Sequence, residues 1–277
     1  MANGPAPFSD VGKRARDLLT KDYNFDQKFT LSIPSSTGLG LIATGLKKGE
    51  IFVGDVSTNY KSGRTVVDVK VDTNCNVSTK VTVNDVFSNT KSVLSFSLPD
   101  HKSGKLDVQY LHPRAAIDSS IGLNPSPQLA LSATMGSKDL SLGAEVGFDT
   151  ASALFTKYNA GIAFNKPDFT ASLMLADKAE TLKASYIHCL DRSDGFTVAA
   201  ELTHRFSTLE NRFVFGTSQS IDPFTVVKSR FTNDGKAALL YQREWRPKSH
   251  VTFSAEYDAA KNFGQATKFG LGLSLKP

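Results

Sequence analysis

From Gln27 to Leu275, apolar and polar residues alternate with a period of two, the spacing of strands with one face in an apolar medium and the other wet. In Thr65–Asp72, Val67, Val69 and Val71 share one face while Asp68, Lys70 and Asp72 share the other. Val77, Val81 and Val83 oppose Ser78, Lys80, Thr82 and Asn84 in the next run. Leu140, Leu142, Ala144, Val146 and Phe148 oppose Asp139, Ser141, Gly143, Glu145 and Gly147. The alternation returns in Phe169–Leu175, Phe196–Leu202, Val251–Tyr257 and Phe269–Leu275. Turn formers such as Lys48-Gly49, Ser62-Gly63, Ser103-Gly104, Lys166-Pro167, Asp194-Gly195 and Asp234-Gly235 separate the runs. The pattern predicts a meander of about nineteen strands, from 27–34 and 39–47 to 249–257 and 266–275.

Residues 1–25 follow a different period. At 100° per residue, Phe8, Val11, Ala15, Leu18 and Leu19 fall on one side, and Lys13, Arg16, Asp17 and Thr20 fall opposite. Ser9 or Asp10 is placed to cap a helix running to about Leu19. The chain therefore divides into an N-terminal segment, 1–25, with one amphipathic helix, and a single β-domain, 26–277.

Composition alone looks soluble: 40% hydrophobic, 21% charged, mean hydropathy −0.20. No stretch offers the roughly 20 consecutive apolar residues of a membrane helix. The longest uncharged run, Ser119 to Ser137, is broken by Asn124, Pro125 and Pro127. The first residues lack the basic and apolar regions of a secretory signal. Two cysteines, Cys75 and Cys189, make no disulfide framework. The expectation is a chain made in the cytosol, which argues against a bacterial porin. Thirty-two basic residues against 27 acidic ones are spread along the chain, and no nucleic-acid reader motif accompanies them.

Alternation fits a soluble β-sandwich as well as a membrane barrel. The barrel accounts for more. A soluble domain seldom holds so many sequential hairpins without splitting. Lys, Glu and Asp at mid-strand suit a wet lumen, and the apolar face is the one a bilayer requires. Open strand edges do not survive in hydrocarbon, so the sheet must close. Closing nineteen strands leaves the first and last running parallel.

Three separated stretches resemble a known family. PFSDVGKRARDLLTKDYNF (Pro7–Phe25) resembles the N-terminal helix of the voltage-dependent anion channels, the mitochondrial porins. IDPFTVVKSRFTNDGKAALLY (Ile221–Tyr241) resembles that family's signature near the C-terminus. KFGLGLSLKP (Lys268–Pro277) is similar to the insertion signal of outer-membrane barrels, through Lys268, Gly270, Leu271, Leu273 and Leu275. The lysine-rich style and proline-bearing N-terminus resemble plant members. The resemblance implies a voltage-gated, weakly anion-selective channel of the mitochondrial outer membrane, built as an all-β barrel with the helix inside. Inorganic anions, ATP, ADP and phosphate are its implied permeants. Membrane lipid, the insertion machinery, cytosolic kinases and further copies of the chain are its implied partners. The related protein-import channel and a docking platform for cytosolic enzymes are the alternatives. Two family elements are missing: a glycine-leucine-lysine element falls near Thr90-Lys91-Ser92, and a lipid-facing glutamate of some animal members falls near Val69.

The site residues follow from both arguments. Lys13, Arg16 and Lys21 are expected to face the permeating ion, and the stretch around Lys13–Lys21 is the one implied to contact nucleotide. Lys28, Lys70, Lys80 and Arg230 stand at polar mid-strand positions and are candidates for lumen charge, with a solvated sheet surface as the plainer reading. No enzyme constellation, metal site or cofactor is expected: His101, His112, His188, His204 and His250 share no ligand spacing. His188 and Cys189, adjacent on a strand, are expected to face opposite ways. Gly38-Leu39-Gly40 and Gly270-Leu271-Gly272 read as strand glycines that permit curvature or close approach of the helix to the wall.

Overall fold

The computed structural model describes residues 4–34, 38–100, 102–191, 195–259 and 267–277. Among these described residues, a 3-10 turn, Phe8–Asp10, and one helix, α1 (Lys13–Thr20), are followed by nineteen strands. The first six are β1 (Gln27–Ile33), β2 (Leu39–Lys48), β3 (Ile51–Ser62), β4 (Thr65–Asp72), β5 (Val77–Asn84) and β6 (Thr90–Leu98). Then come β7 (Lys105–His112), β8 (Ala115–Gly122), β9 (Gln128–Gly136), β10 (Leu140–Asp149), β11 (Leu154–Asn165) and β12 (Phe169–Ala176). The last seven are β13 (Thr181–Asp191), β14 (Phe196–Arg205), β15 (Glu210–Asp222), β16 (Thr225–Thr232), β17 (Lys236–Arg246), β18 (Ser249–Asp258) and β19 (Thr267–Leu275).

Sequential strands pair antiparallel all round, and the sheet closes where β1 runs parallel to β19, from Gln27 beside Leu271 to Leu31 beside Leu275. Closure leaves no unpaired edge, the condition for a sheet in hydrocarbon. The alternation places its apolar half outward: Val56, Leu131, Leu142, Leu239, Phe253 and Phe269 are all exposed on the outer wall. Such a band would aggregate in water and is satisfied by acyl chains. Phe169, Tyr186 and His188 stack outside at the ends of β12 and β13, with ring centroids 6.0 to 6.2 Å apart. Cys189, the next residue, instead points its thiol at the carbonyl of Asp191. Val69 shares the outward face of β4 with Val67 and Val71.

Strand ends depart from the pattern mainly at bulges. Register shifts at Cys189/Asp191 and Ser220/Asp222 carry β13 and β15 past the ends that strict alternation marks. The helix departs more. It does not start at Ser9 or Asp10: the chain breaks at Gly12, left-handed with φ 68°, and α1 begins after it with no side-chain cap. Asp194 and His101 lie outside the described residues.

Candidate functional site, a polar lumen with a docked segment

The N-terminal segment lies against the inner wall, and the core of the molecule lies beneath it. Phe8 and Val11 pack with Ala163 and Met174. Ala15, Leu18 and Leu19 pack with Ala199, Val214 and Ile187. Tyr23 packs with Ala238, Leu240 and Phe25. Phe8, Val11, Ala15, Leu18 and Leu19 are the residues the helical period put on one side; Tyr23 joins them from beyond the helix. Lys13, Arg16 and Thr20, from the other side, are exposed to the lumen. Each buried leucine contributes about 1.5–3 kcal/mol if it would otherwise be wet.

Small wall residues make the close approach possible. A Cβ added to Gly216 would lie 2.6 Å from Leu19 Cδ2 and 2.7 Å from the Ser229 carbonyl. One added to Gly143 would lie 2.6 Å from Phe8, and one on Gly270 would meet the backbone of Asn24 and Phe25. At Gly270 the close approach is made by the stretch after the helix, Asn24 and Phe25, rather than by the helix itself. At Gly38 and Gly40 the near neighbours are Lys61 and Asn59 of β3 instead.

Polar contacts fix the segment's far end. Arg230, on β16, lies with its guanidinium 4.8 Å from the centre of the Tyr23 ring. It donates to the Leu19 carbonyl (3.2 Å) at the end of α1 and pairs with Glu256 of β18 (2.9 Å). A cation there answers the carbonyls a helix terminus leaves unpaired. Lys228, one turn of the pleat away on the same face, pairs with Asp22 at 3.1 Å. Ser254 Oγ donates to the Asn24 carbonyl. Nearer the front, Arg14 donates to Thr170 Oγ1 (3.1 Å). The Tyr23 hydroxyl is buried with no hydrogen-bond partner among the described residues. Burial pushes this phenol up to about 12, against a smaller opposing pull from the Arg230 charge. Lys13 is held above its ordinary value by its hydrogen bond and 2.8 Å ion pair to Asp10.

The segment covers only part of the wall. Alongside it lies a cavity of 820 Å³ bounded by strands of the β5–β11 arc, where Lys80, Lys91, Lys102, Lys105 and Lys157 face Asp107, Asp118 and Glu145. The acids are partly engaged: Asp107 with Lys105 (2.9 Å), Glu145 with Asn159 (2.8 Å), Asp118 with Ser132 (3.3 Å). A second cavity, 540 Å³, lies between the segment and the wall and takes in Lys13, Arg14, His112 and Lys138 beside Asp10 and Asp17.

The expected site residues divide accordingly. Lys13, Arg16 and Lys21 stand exposed on the segment, and Lys28 lies on the inward face of β1, beside Gly272. Lys70 pairs with Asp55 (3.3 Å), and Lys80 borders the large cavity. Arg230 faces inward but is mostly covered, its charge spent on Glu256 and the end of α1. In the last strand, Gly270 faces in toward Asn24, while Leu271 lies on the outer wall. Sequence reasoning passed over Lys91, Lys105 and Lys157, and the anchors Arg14 and Lys228. The signal was present: Lys105 and Asp107 alternate with Leu106 and Val108, and Lys157 precedes the outward Tyr158.

Comparison with known proteins agrees with this geometry. The family model described as "Eukaryotic porin" matches residues 4–270. The chain is 57% identical to mitochondrial outer membrane protein porin 4 of Arabidopsis thaliana and 56% identical to mitochondrial outer membrane protein porin 6 of Oryza sativa subsp. japonica, covering 100% of both chains in each case. It is 47% identical, again over 100% of each chain, to the outer plastidial membrane protein porin of Pisum sativum. With a closed barrel, a wet lumen and relatives of full length, the chain belongs to the eukaryotic porin family and is an outer-membrane β-barrel porin of the mitochondrial kind.

Proposed function

We propose that this porin is a voltage-gated, weakly anion-selective pore that passes inorganic anions and small metabolites such as ATP, ADP and phosphate across the mitochondrial outer membrane, and that it catalyses no reaction. The observation that carries the reading is the unequal lining of the 820 Å³ cavity, five lysines against three acids, with Lys105 and Asp107 paired to each other. Fixed positive charge in a wet channel lowers the energy of a passing anion, with a reach of about 10 Å at 0.1 M salt. Several close cations therefore act together, yet weakly enough that an anion leaves again. Arg16, Lys21 and Lys28 add to this field from the segment and β1, and Lys13 and Lys70 do so less, each being paired with an aspartate. Voltage dependence needs charge that moves, and each elementary charge crossing 100 mV is worth roughly 2.3 kcal/mol. The cations of the docked segment are the candidates. The alternation of Lys268 and Gly270 with Leu271, Leu273 and Leu275 supports a role for β19 as the stretch read by the insertion machinery. The turns among the described residues are mostly short and leave little surface for docking cytosolic kinases, so such contacts are secondary.

Purified protein in a planar bilayer tests the reading. Large conductance steps that fall to a lower substate at either polarity are expected. A bilayer that shows no steps, or steps indifferent to voltage, contradicts it.

A further inference from the structure

The outer wall of β17, β18, β19 and β1 carries a groove of 340 Å³ on the side facing away from the lumen. Leu239, Tyr241, Phe253, Phe269 and Leu271 line it, and Ala255 lies in register between Leu239 and Phe269. A methyl group between leucine and phenylalanine side chains leaves a dent. The two flanking residues are more than half exposed, at 54% and 73%, so the groove opens to the bilayer.

Along β17 the face that carries Leu239 and Tyr241 next reaches Arg243. The strand then bulges. Pairing passes from Glu244–His250 to Arg246–Ser249, which leaves Trp245 as the extra residue. In an unbroken strand Arg246 would point away from Trp245. The bulge turns it back, and its guanidinium lies 5.2 Å from the centre of the Trp245 ring. Lys248 follows in the turn, and Arg243, Trp245, Arg246 and Lys248 are all exposed. Glu244 accepts the Lys248 backbone N–H, and Asp222 lies two strands away in register. Three cations beside a tryptophan, where a strand leaves the apolar band, match the residue types that collect at the level of lipid headgroups.

We propose that this wall is a binding site for an anionic phospholipid, with its phosphate on Arg243, Arg246 and Lys248 and an acyl chain in the groove below. The two parts suit one amphipathic ligand: the cations select charge, and the dent at Ala255 admits a chain. Zwitterionic lipid brings its own ammonium group and gains less. Each cation near a membrane surface changes association with an anionic lipid by roughly five-fold.

Trp245 is the single tryptophan of the chain, so its emission reports on this spot alone. The full protein is refolded into phosphatidylcholine vesicles that contain equal small shares of either brominated-chain phosphatidylglycerol or brominated-chain phosphatidylcholine. Phosphatidylglycerol is expected to quench more, and raised salt to shrink the excess. Arg243→Gln, Arg246→Gln and Lys248→Gln should reduce it stepwise, by roughly five-fold in association each. Ala255→Leu, which fills the groove and leaves the cations, should also reduce it. Soluble glycerol phosphate should leave it in place. Equal quenching by the two lipids, or an excess that survives salt and loss of all three cations, overturns the proposal. Displacement by glycerol phosphate overturns the choice of a lipid, and an excess untouched by Ala255→Leu overturns the role of the groove.

Discussion

Tyr23 shows how single residues set the strength of the dock. Its ring is covered by Arg230 and Leu240, but its hydroxyl finds no partner among the described residues. A buried hydroxyl without a hydrogen bond costs about 1–3 kcal/mol. Tyr23→Phe, which keeps the ring and removes the cost, is therefore expected to hold the segment at least as tightly. The phenol also makes docking sensitive to alkali. Its docked value of about 12 lies above the ordinary 10.0, so the docked state favours the protonated form. That contribution is complete below pH 10 and is lost as pH rises toward 12, by about ten-fold in the docking equilibrium per pH unit. Ala15→Cys, placed in a Cys75→Ser, Cys189→Ser background, is buried against the wall and reads undocking through its reaction with a thiol reagent. Between pH 10 and 12 it should react faster than in the same protein carrying Tyr23→Phe. Equal rates in the two proteins would show that docking does not raise the Tyr23 pKa.

At the scale of elements, the N-terminal segment is held differently at its two ends. The front relies on Phe8 and Val11 against Gly143, Gly161 and Ala163, while the rear is fastened by Arg230, Glu256, Lys228 and Asp22. The Arg230–Glu256 pair is well covered on both sides, so removing one partner strands the other. Arg230→Gln or Glu256→Gln should each weaken docking by about 1–3 kcal/mol, and the double variant by less than their sum. Lys228→Gln should cost less, because Asp22 remains 42% exposed and water screens it. A double-mutant cycle read by Ala15→Cys reactivity measures this, and strict additivity would mean the pair does not act as a unit. The two faces of the helix were legible in the sequence because a period of 3.6 sorts Leu18 from Arg16 with no knowledge of the partner. The break at Gly12 was not. It depends on the left-handed backbone and on Ser172 and Ser185, within 3.0 Å of any Cβ placed there, both far away in the chain. Likewise, nothing local to Arg230 told that it would serve the segment rather than the permeant.

For the whole molecule, nineteen strands and the sorting of residues between bilayer and lumen could be read directly, since period-two alternation survives closure unchanged. The parallel seam between β1 and β19 follows from the odd count alone. What alternation leaves open is which part of the lumen stays free. That depends on where the segment lies, and it leaves Lys80, Lys91 and Lys157 bordering open space, with Lys105 beside them paired to Asp107, while Arg230 and Lys228 are consumed. The central claim is that this free arc sets the anion preference. It is tested most directly by the reversal potential under a potassium chloride gradient, for the wild-type chain and for one carrying Lys80→Glu, Lys91→Glu, Lys105→Glu and Lys157→Glu. The wild type is predicted to reverse on the anion side of zero and the variant to cross to the cation side. A variant that conducts and still reverses where the wild type does would contradict the account.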